Sequence, residues 1–360
     1  MSCFGWPWLH PSKCNMFDIS VPLWADVSLF VASAFVIGVA GVKAAGLADR
    51  LAERSGLGEA VTGTVFLGFL TALPGLLASV VAAAKGHAAL AISNAIGGIA
   101  VQTAALAVAD VAHRGVNLEH AAASVPNLMQ ATILIALMVL VLCGLSGPDV
   151  TALHVHPITM LLVLAAAGGM WLVIGTRDAP MWKPTRTHET VTDEPEPANQ
   201  RERLSRLLVG LVVAAGLTGV SGAFTAETAE NIVQKTGLPE AVVGGLFMAV
   251  ATSLPELVTS VAAVRRGALT LAVSDVVGGN FFDVLFVAGA DLVYLHGSIY
   301  HAKGVGLPEI FLTSVTILMN VVLMAGLVFR QKRGPGNIGF ESVLMIVLYL
   351  TGFFIMTLAM

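Results

Sequence analysis

Charge is scarce in this chain. Asp, Glu, Lys and Arg make up only 12% of its 360 residues, about half the share a soluble domain carries. Cysteine is scarcer still. Cys3, Cys14 and Cys143 form no CxxC and no cluster with histidine, so neither a zinc centre nor a thiol redox motif is supported. A Cys3–Cys14 disulfide is conceivable only with the N-terminus outside the cell. No basic stretch is interleaved with aromatics, which removes nucleic acid as a partner. His87, His113, His154, His156, His296 and His301 gather near the ends of apolar segments, as loop histidines do. No His/Cys/Ser constellation shares a depth, so an enzyme is the least supported class, and no cofactor is implied. Residues 1–20 are irregular, with two prolines and no continuous apolar run, and do not read as a signal peptide. Met16 is an alternative start.

Apolar residues are what the chain has in excess. They make up 56% of it, and the mean hydropathy is +0.84. The chain is therefore expected to be an all-α integral membrane protein, with the lipid bilayer as its solvent. A helix crosses a bilayer with roughly 20 apolar residues. Ten such segments are legible: about Leu23–Leu47, Ala60–Ala84, Ala88–Ala112, Ala121–Leu145 and Val155–Ile174, then Leu204–Thr225, Ala241–Val264, Ala268–Tyr294, Leu307–Phe329 and Ile338–Met360. Residues 177–203 between the two sets are charged and proline-containing, as a loosely held linker is. The expected division is 1–20, a first five-helix unit over 21–176, the linker 177–203, and a second five-helix unit over 204–360.

The basic residues orient these spans. Fourteen Lys and Arg fall on the side that holds the linker and four on the other. Cytoplasmic loops carry the excess of positive charge. The linker is thus expected in the cytoplasm and both termini outside, in a bacterial inner (plasma) membrane. At about thirty residues the linker is too short for a separate regulatory domain.

The two units share an internal repeat. Residues 56–111 align with 237–292 at a constant offset of 181 and without a gap. Gly56–Val61 matches Gly237–Val242, Thr71–Val80 matches Thr252–Val261, Lys85–Gly98 matches Arg266–Gly279, and Asp110 matches Asp291. Five spans per unit invert the second copy relative to the first. Inverted repeats with paired helix breaks near the midplane are a secondary-transporter pattern. Breaks are expected in spans 2, 3, 7 and 8, at Pro74, Gly97-Gly98, Pro255 and Gly278-Gly279. Packing alone is the alternative use for these small residues.

The polar residues of the repeat carry the chemistry. Thr252-Ser253-Leu254-Pro255-Glu256 sets two hydroxyls and a carboxylate at a proline, inside an apolar span. A carboxylate there is costly, and oxygen ligands are what hard cations take. These residues, followed by Ser274-Asp275-Val276-Val277-Gly278-Gly279-Asn280-Phe281-Phe282-Asp283, resemble the two motifs of the calcium/cation antiporter superfamily, which includes the sodium/calcium exchangers. The resemblance implies ten helices in two inverted repeats and a midplane ion site. By position it implies Thr252, Ser253, Glu256 and Asn280 as ion ligands, with Glu256, Thr252 and Asn280 most directly on the metal. Thr71, Ser93 and Asn94 would contribute from the first copy, and Asp283 would stand behind the ligands. The first copy departs from the pattern at Ala72, Gly75 and Ile99, and Gly75 stands where the family has an acid. Asp275 either replaces the missing charge or caps the helix at Gly278. Asp110 and Asp291 lie near span ends, where water reaches them.

The expected function is a secondary active cation antiporter, similar to sodium/calcium exchangers, alternating access around Glu256. A carboxyl taken out of water can carry a proton, so exchange of Na⁺ or another cation against H⁺ is one alternative. A degenerate membrane partner that no longer transports is the other.

Overall fold

A computed structural model describes residues 22–55, 68–112, 117–178, 204–266, 269–332, 334 and 339–358. The irregular N-terminal segment, most of the linker and the GLGEAV stretch of the first copy lie outside them. The described residues are helical apart from short connections. In chain order they form α1 (Leu23–Ser55), α2 (Gly68–Ala84), α3 (Ala88–Ala112), the short α4 (Leu118–Ala122), α5 (Val125–Ser146) and α6 (Pro157–Asp178). The second half holds α7 (Leu204–Thr236), α8 (Glu240–Thr252), α9 (Leu254–Arg266), α10 (Leu269–Val293), a 3₁₀ turn at Ile299–His301, α11 (Leu307–Phe329) and α12 (Phe340–Leu358). Among the described residues eight helices are long and apolar enough to cross a bilayer, and the bent pair α8–α9 makes a ninth. The described part of α2 is apolar and 17 residues long. The chain is an integral, multi-pass membrane protein.

The offset of 181 runs well beyond the stretch in which sequence alone reveals it. α1 and α7 start and stop at positions 181 apart, and so do α3 and α10. The packing repeats as well. A Cβ on Gly41 would sit 2.3 Å from the Pro255 ring, and one on Gly222 would sit 2.3 Å from the Pro74 carbonyl. These two glycines are themselves 181 apart. Each long outer helix therefore closes its backbone onto the proline turn of the other half.

Chain breaks are fewer than the glycines suggest. α3 runs unbroken through Gly97-Gly98, and α10 runs unbroken through Gly278-Gly279. The breaks expected in spans 3 and 8 are corrected here. These glycines serve close approach: a Cβ on Gly97 would lie 2.2 Å from the Gly245 carbonyl oxygen of α8, and one on Gly98 would lie 3.1 Å from Asp283 Oδ2. Small residues let helix backbones touch where lipid gives no hydrophobic drive. In span 2 the described helix also continues through Pro74. The break that does form is at Ser253, between α8 and α9, with a bend of 51°. Pro255 has no N–H to offer the carbonyl of Ala251, so the helix loosens there. A wider π turn at Val243–Met248 precedes the bend and carries Gly244 and Gly245 against α3.

Candidate functional site

Where α2, α3, α8, α9 and α10 meet, a small pocket is lined by Ala72, Gly75, Asn94, Gly98, Gln102, Thr252, Ser253, Glu256, Asp283 and Phe286. The 51° bend places Thr252 and Ser253 on one side of the break and Glu256 one turn beyond it. Each polar side chain there is at least nine-tenths buried.

From α3, Asn94 ties the two proline helices together. Its Nδ2 donates to the Gly75 carbonyl at 3.2 Å and to Ser79 Oγ at 2.9 Å. Its Oδ1 accepts from Thr252 Oγ1 at 3.2 Å. About two turns further along α3, Gln102 donates from Nε2 to Asp283 Oδ2 at 2.7 Å and to Ser253 Oγ at 3.3 Å. Gln102 and Asp283 are themselves 181 positions apart, so symmetry mates bond to each other across the pocket. The Thr71 side chain faces the Glu256 carboxyl, and Asp283 and Asp275 are the acids closest to it in charge. Glu256 Oε2 and Gln102 Oε1 are buried with no hydrogen-bond partner. A buried acceptor without a donor is costly, and such oxygens are of the kind that hard cations take.

The structure sorts the sequence-derived residues. Thr252, Ser253, Glu256 and Asn94 line the pocket, and Thr71 adjoins it. Asp283, expected behind the ligands, is itself a wall of the pocket. Ser93 faces away and donates to Glu309 Oε1 at 3.4 Å. Asn280 donates to Thr103 Oγ1 at 3.2 Å, and its own oxygen stays unpartnered outside the pocket lining. Asp275 is half-buried beside α9, accepting from Thr259 Oγ1 at 2.7 Å and Ser260 Oγ at 3.4 Å. These hydroxyl bonds hold it one helix face away from the pocket, the helical offset that its sequence position already carries.

Two residues were missed. Gln102 was overlooked because a neutral amide in an apolar span resembles packing; its position 181 before Asp283 was the available signal. Phe286 was not singled out, because one phenylalanine in an apolar span carries no signal of its own. Asp110 and Asp291 are also corrected, being buried rather than reached by water. Asp110 Oδ1 accepts from the backbone N–H of Leu118 at 2.6 Å, and Asp291 Oδ1 accepts from that of Ile299 at 2.9 Å. Each acid holds the chain that turns back over its own helix end.

Fold and pocket together define a polytopic membrane protein of two repeats with an oxygen-lined pocket where they cross. More specifically, the chain belongs to the sodium/calcium exchanger protein family, whose model matches residues 26–176 and 206–358. It is 27% identical over 143 residues to the sodium/calcium exchanger MaX1 of Methanosarcina acetivorans, an alignment spanning 39% of each protein and hence less than half of that relative's length. It is 24% identical over 296 residues to the putative antiporter CaxA of Alkalimonas amylolytica, covering 81% of this chain and 88% of that one. In fold it is similar to the sodium-calcium exchanger NCX_Mj soaked with 2.5 mM Na⁺ and 1 mM Sr²⁺, with a TM-score of 0.60 at 18% identity over 92% of this chain and 97% of that one.

Proposed function

We propose that the protein is a secondary cation antiporter that binds its ions at the pocket between the two repeats. The observation that carries this reading is the pair of partnerless buried oxygens, Glu256 Oε2 and Gln102 Oε1, beside the Asp283 carboxyl. Ions competing for these oxygens cannot be held together, and that competition makes the traffic an exchange. Glu256 supplies the ligand charge, Asp283 adds to it, and Gln102, Ser253, Thr252 and Thr71 supply neutral oxygens. Ten spans in two inverted units, alternating exposure of the pocket to either side, and a cytoplasmic linker at 177–203 belong to the same reading.

Na⁺ against Ca²⁺ is the exchange that the names of the relatives suggest. Exchange of a monovalent cation against H⁺ is favoured instead by one feature: the first-copy mates of Glu256, Asp275 and Asp283 are Gly75, Asn94 and Gln102, all neutral. A degenerate, non-transporting partner is disfavoured by the unsatisfied oxygens, which would be a cost without a use.

Purified protein in proteoliposomes tests the reading. With Na⁺, K⁺, Ca²⁺ and H⁺ gradients imposed one at a time, the wild type should support counterflow of one pair above empty vesicles, and Glu256→Gln should abolish it. Undiminished flux through Glu256→Gln would overturn the assignment of the pocket.

A further inference from the structure

We propose that Phe286 sets the ion selectivity of this pocket, by filling the place that an acid of the first copy would take opposite Glu256. The inference rests on the reading of the pocket as the transport site.

The repeat supplies the argument. Glu256 has Gly75 as its mate, and Phe286 has Ala105 as its mate. A Cβ on Gly75 would lie 2.5 Å from one Phe286 ring carbon and 3.2 Å from the next. Real atoms do not approach that closely, so the ring already occupies the first side-chain position of residue 75. Glycine of the first copy against phenylalanine of the second is thus the counterpart of glutamate of the second copy with alanine of the first. The charge therefore lies in the second copy alone. A site that had merely lost an acid would leave a gap; here the gap is closed by an aromatic ring that also walls the pocket. The surrounding charges follow the same division, since Asp283 faces the neutral Gln102. An added negative charge attracts a divalent ion twice as strongly as a monovalent one at the same distance. By barring that charge, Phe286 keeps the pocket from favouring divalent ions further.

The experiment combines Gly75→Glu and Phe286→Ala, singly and together, with thermal stability and competitive flux read on the same preparations. Gly75→Glu alone should lower the melting temperature, because the ring must give way to a side chain that starts 2.5 Å from it. Adding Phe286→Ala should restore much of that loss and raise the preference for Ca²⁺ over Na⁺ by roughly tenfold or more. The inference is overturned if Gly75→Glu alone is as stable as wild type, if the second substitution does not rescue it, or if the rescued double variant shows an unchanged preference. Failure of the wild type itself to exchange ions would overturn the parent reading instead, so the two failures are distinguishable.

Discussion

Buried carboxyls at the helix ends divide by what surrounds them. Asp291 accepts from Thr159 Oγ1 at 2.5 Å and from the His156 and Ile299 amides, each at 2.9 Å. Asp110 accepts from the Leu118 amide and from Ser342 Oγ at 2.8 Å. Both are matched by donors. Glu119 is not: it is fully buried, both its oxygens lack partners, and its nearest charges are Asp110 and Glu341. Its carboxyl is pushed well above its ordinary value of 4.5, by burial first and then by the two neighbouring acids. In the folded chain Glu119 therefore keeps a proton that the unfolded chain releases above that value. Its contribution to stability is largest below pH 4.5 and falls as pH rises through the elevated folded value. Glu119→Gln should flatten the fall in melting temperature on the alkaline side of pH 4.5 and raise stability at neutral pH, as thermal melts in detergent across a pH series would show. Equal slopes for the variant and the wild type would count against it. The symmetry mate of Glu119 is Tyr300, whose hydroxyl lies 3.4 Å from Thr159 Oγ1 with the Asp291 carboxyl nearby, so the repeat itself does not require an acid there.

At this scale the pocket was partly legible. Thr252–Glu256 stood out because a carboxylate, two hydroxyls and a proline are out of place in an apolar span, and Gly75 stood out by comparison with its own repeat. The pairing of Gln102 with Asp283 did not stand out, because sequence gives spacing along the chain and this bond crosses between halves. The burial of Asp110 and Asp291 was hidden for a similar reason: the turns that cover them come after the helix end, where hydropathy alone reads water.

Eight long helices were legible from apolar length, and the break at Ser253 from its proline, although Pro74 in the same motif leaves the described helix continuous. The glycine pairs misled, because glycine serves both to loosen a helix and to let another backbone in. Only the neighbour decides which, and at Gly97 the neighbour is the Gly245 backbone, which has no side chain to move aside. Gly97→Val should therefore destabilise the protein by about 1–3 kcal/mol or more, as overpacking does, and should weaken exchange by forcing α8 off α3. Gly168→Ala in α6 has nothing within 4 Å of the new methyl and faces outward, so it should stabilise by about 0.5–1 kcal/mol through helix propensity. Melting temperatures of the two variants measured side by side check both signs.

A second device sits at the other end of α8. His87, between α2 and α3, meets Glu240 Oε1 at 2.7 Å and Glu230 Oε1 at 3.1 Å. It thereby joins the start of α3, the end of α7 and the first residue of α8. Hydrogen bonds to Glu230 and then Glu240 hold its imidazolium on, and its pKa is raised from 6.5 to about 9. A histidine with a raised folded value adds stability that is complete below pH 6.5 and is lost as pH rises through about 9. For a half-buried pair, solvent screening leaves about 1 kcal/mol. His87→Gln should be less stable than wild type at pH 6.5 and equal to it above pH 9. A constant difference across that range would show that the ring packs without carrying charge.

The whole molecule is two copies of one helical plan in which chemistry has been distributed unequally. Helix lengths, the proline–glycine contacts and the aspartates at the helix ends are shared, while the acids of the pocket belong to the second copy alone. If each copy holds an odd number of spans, one copy is turned over relative to the other, and the excess of basic residues marks the loops expected in the cytoplasm. Two residues on opposite sides by that rule are open to reagent: Leu153, in the connection between α5 and α6, and Lys332, after α11, are both exposed. In a background with the native cysteines replaced, Leu153→Cys should react in intact cells with a maleimide that cannot cross membranes. Lys332→Cys should react only after the membrane is opened. Labelling of both positions in intact cells would break the odd-span inversion on which the two-fold plan depends. Reversal of the pattern would keep the plan and turn the protein over, placing the His87 junction in the cytoplasm and the Glu119 carboxyl at the outer face.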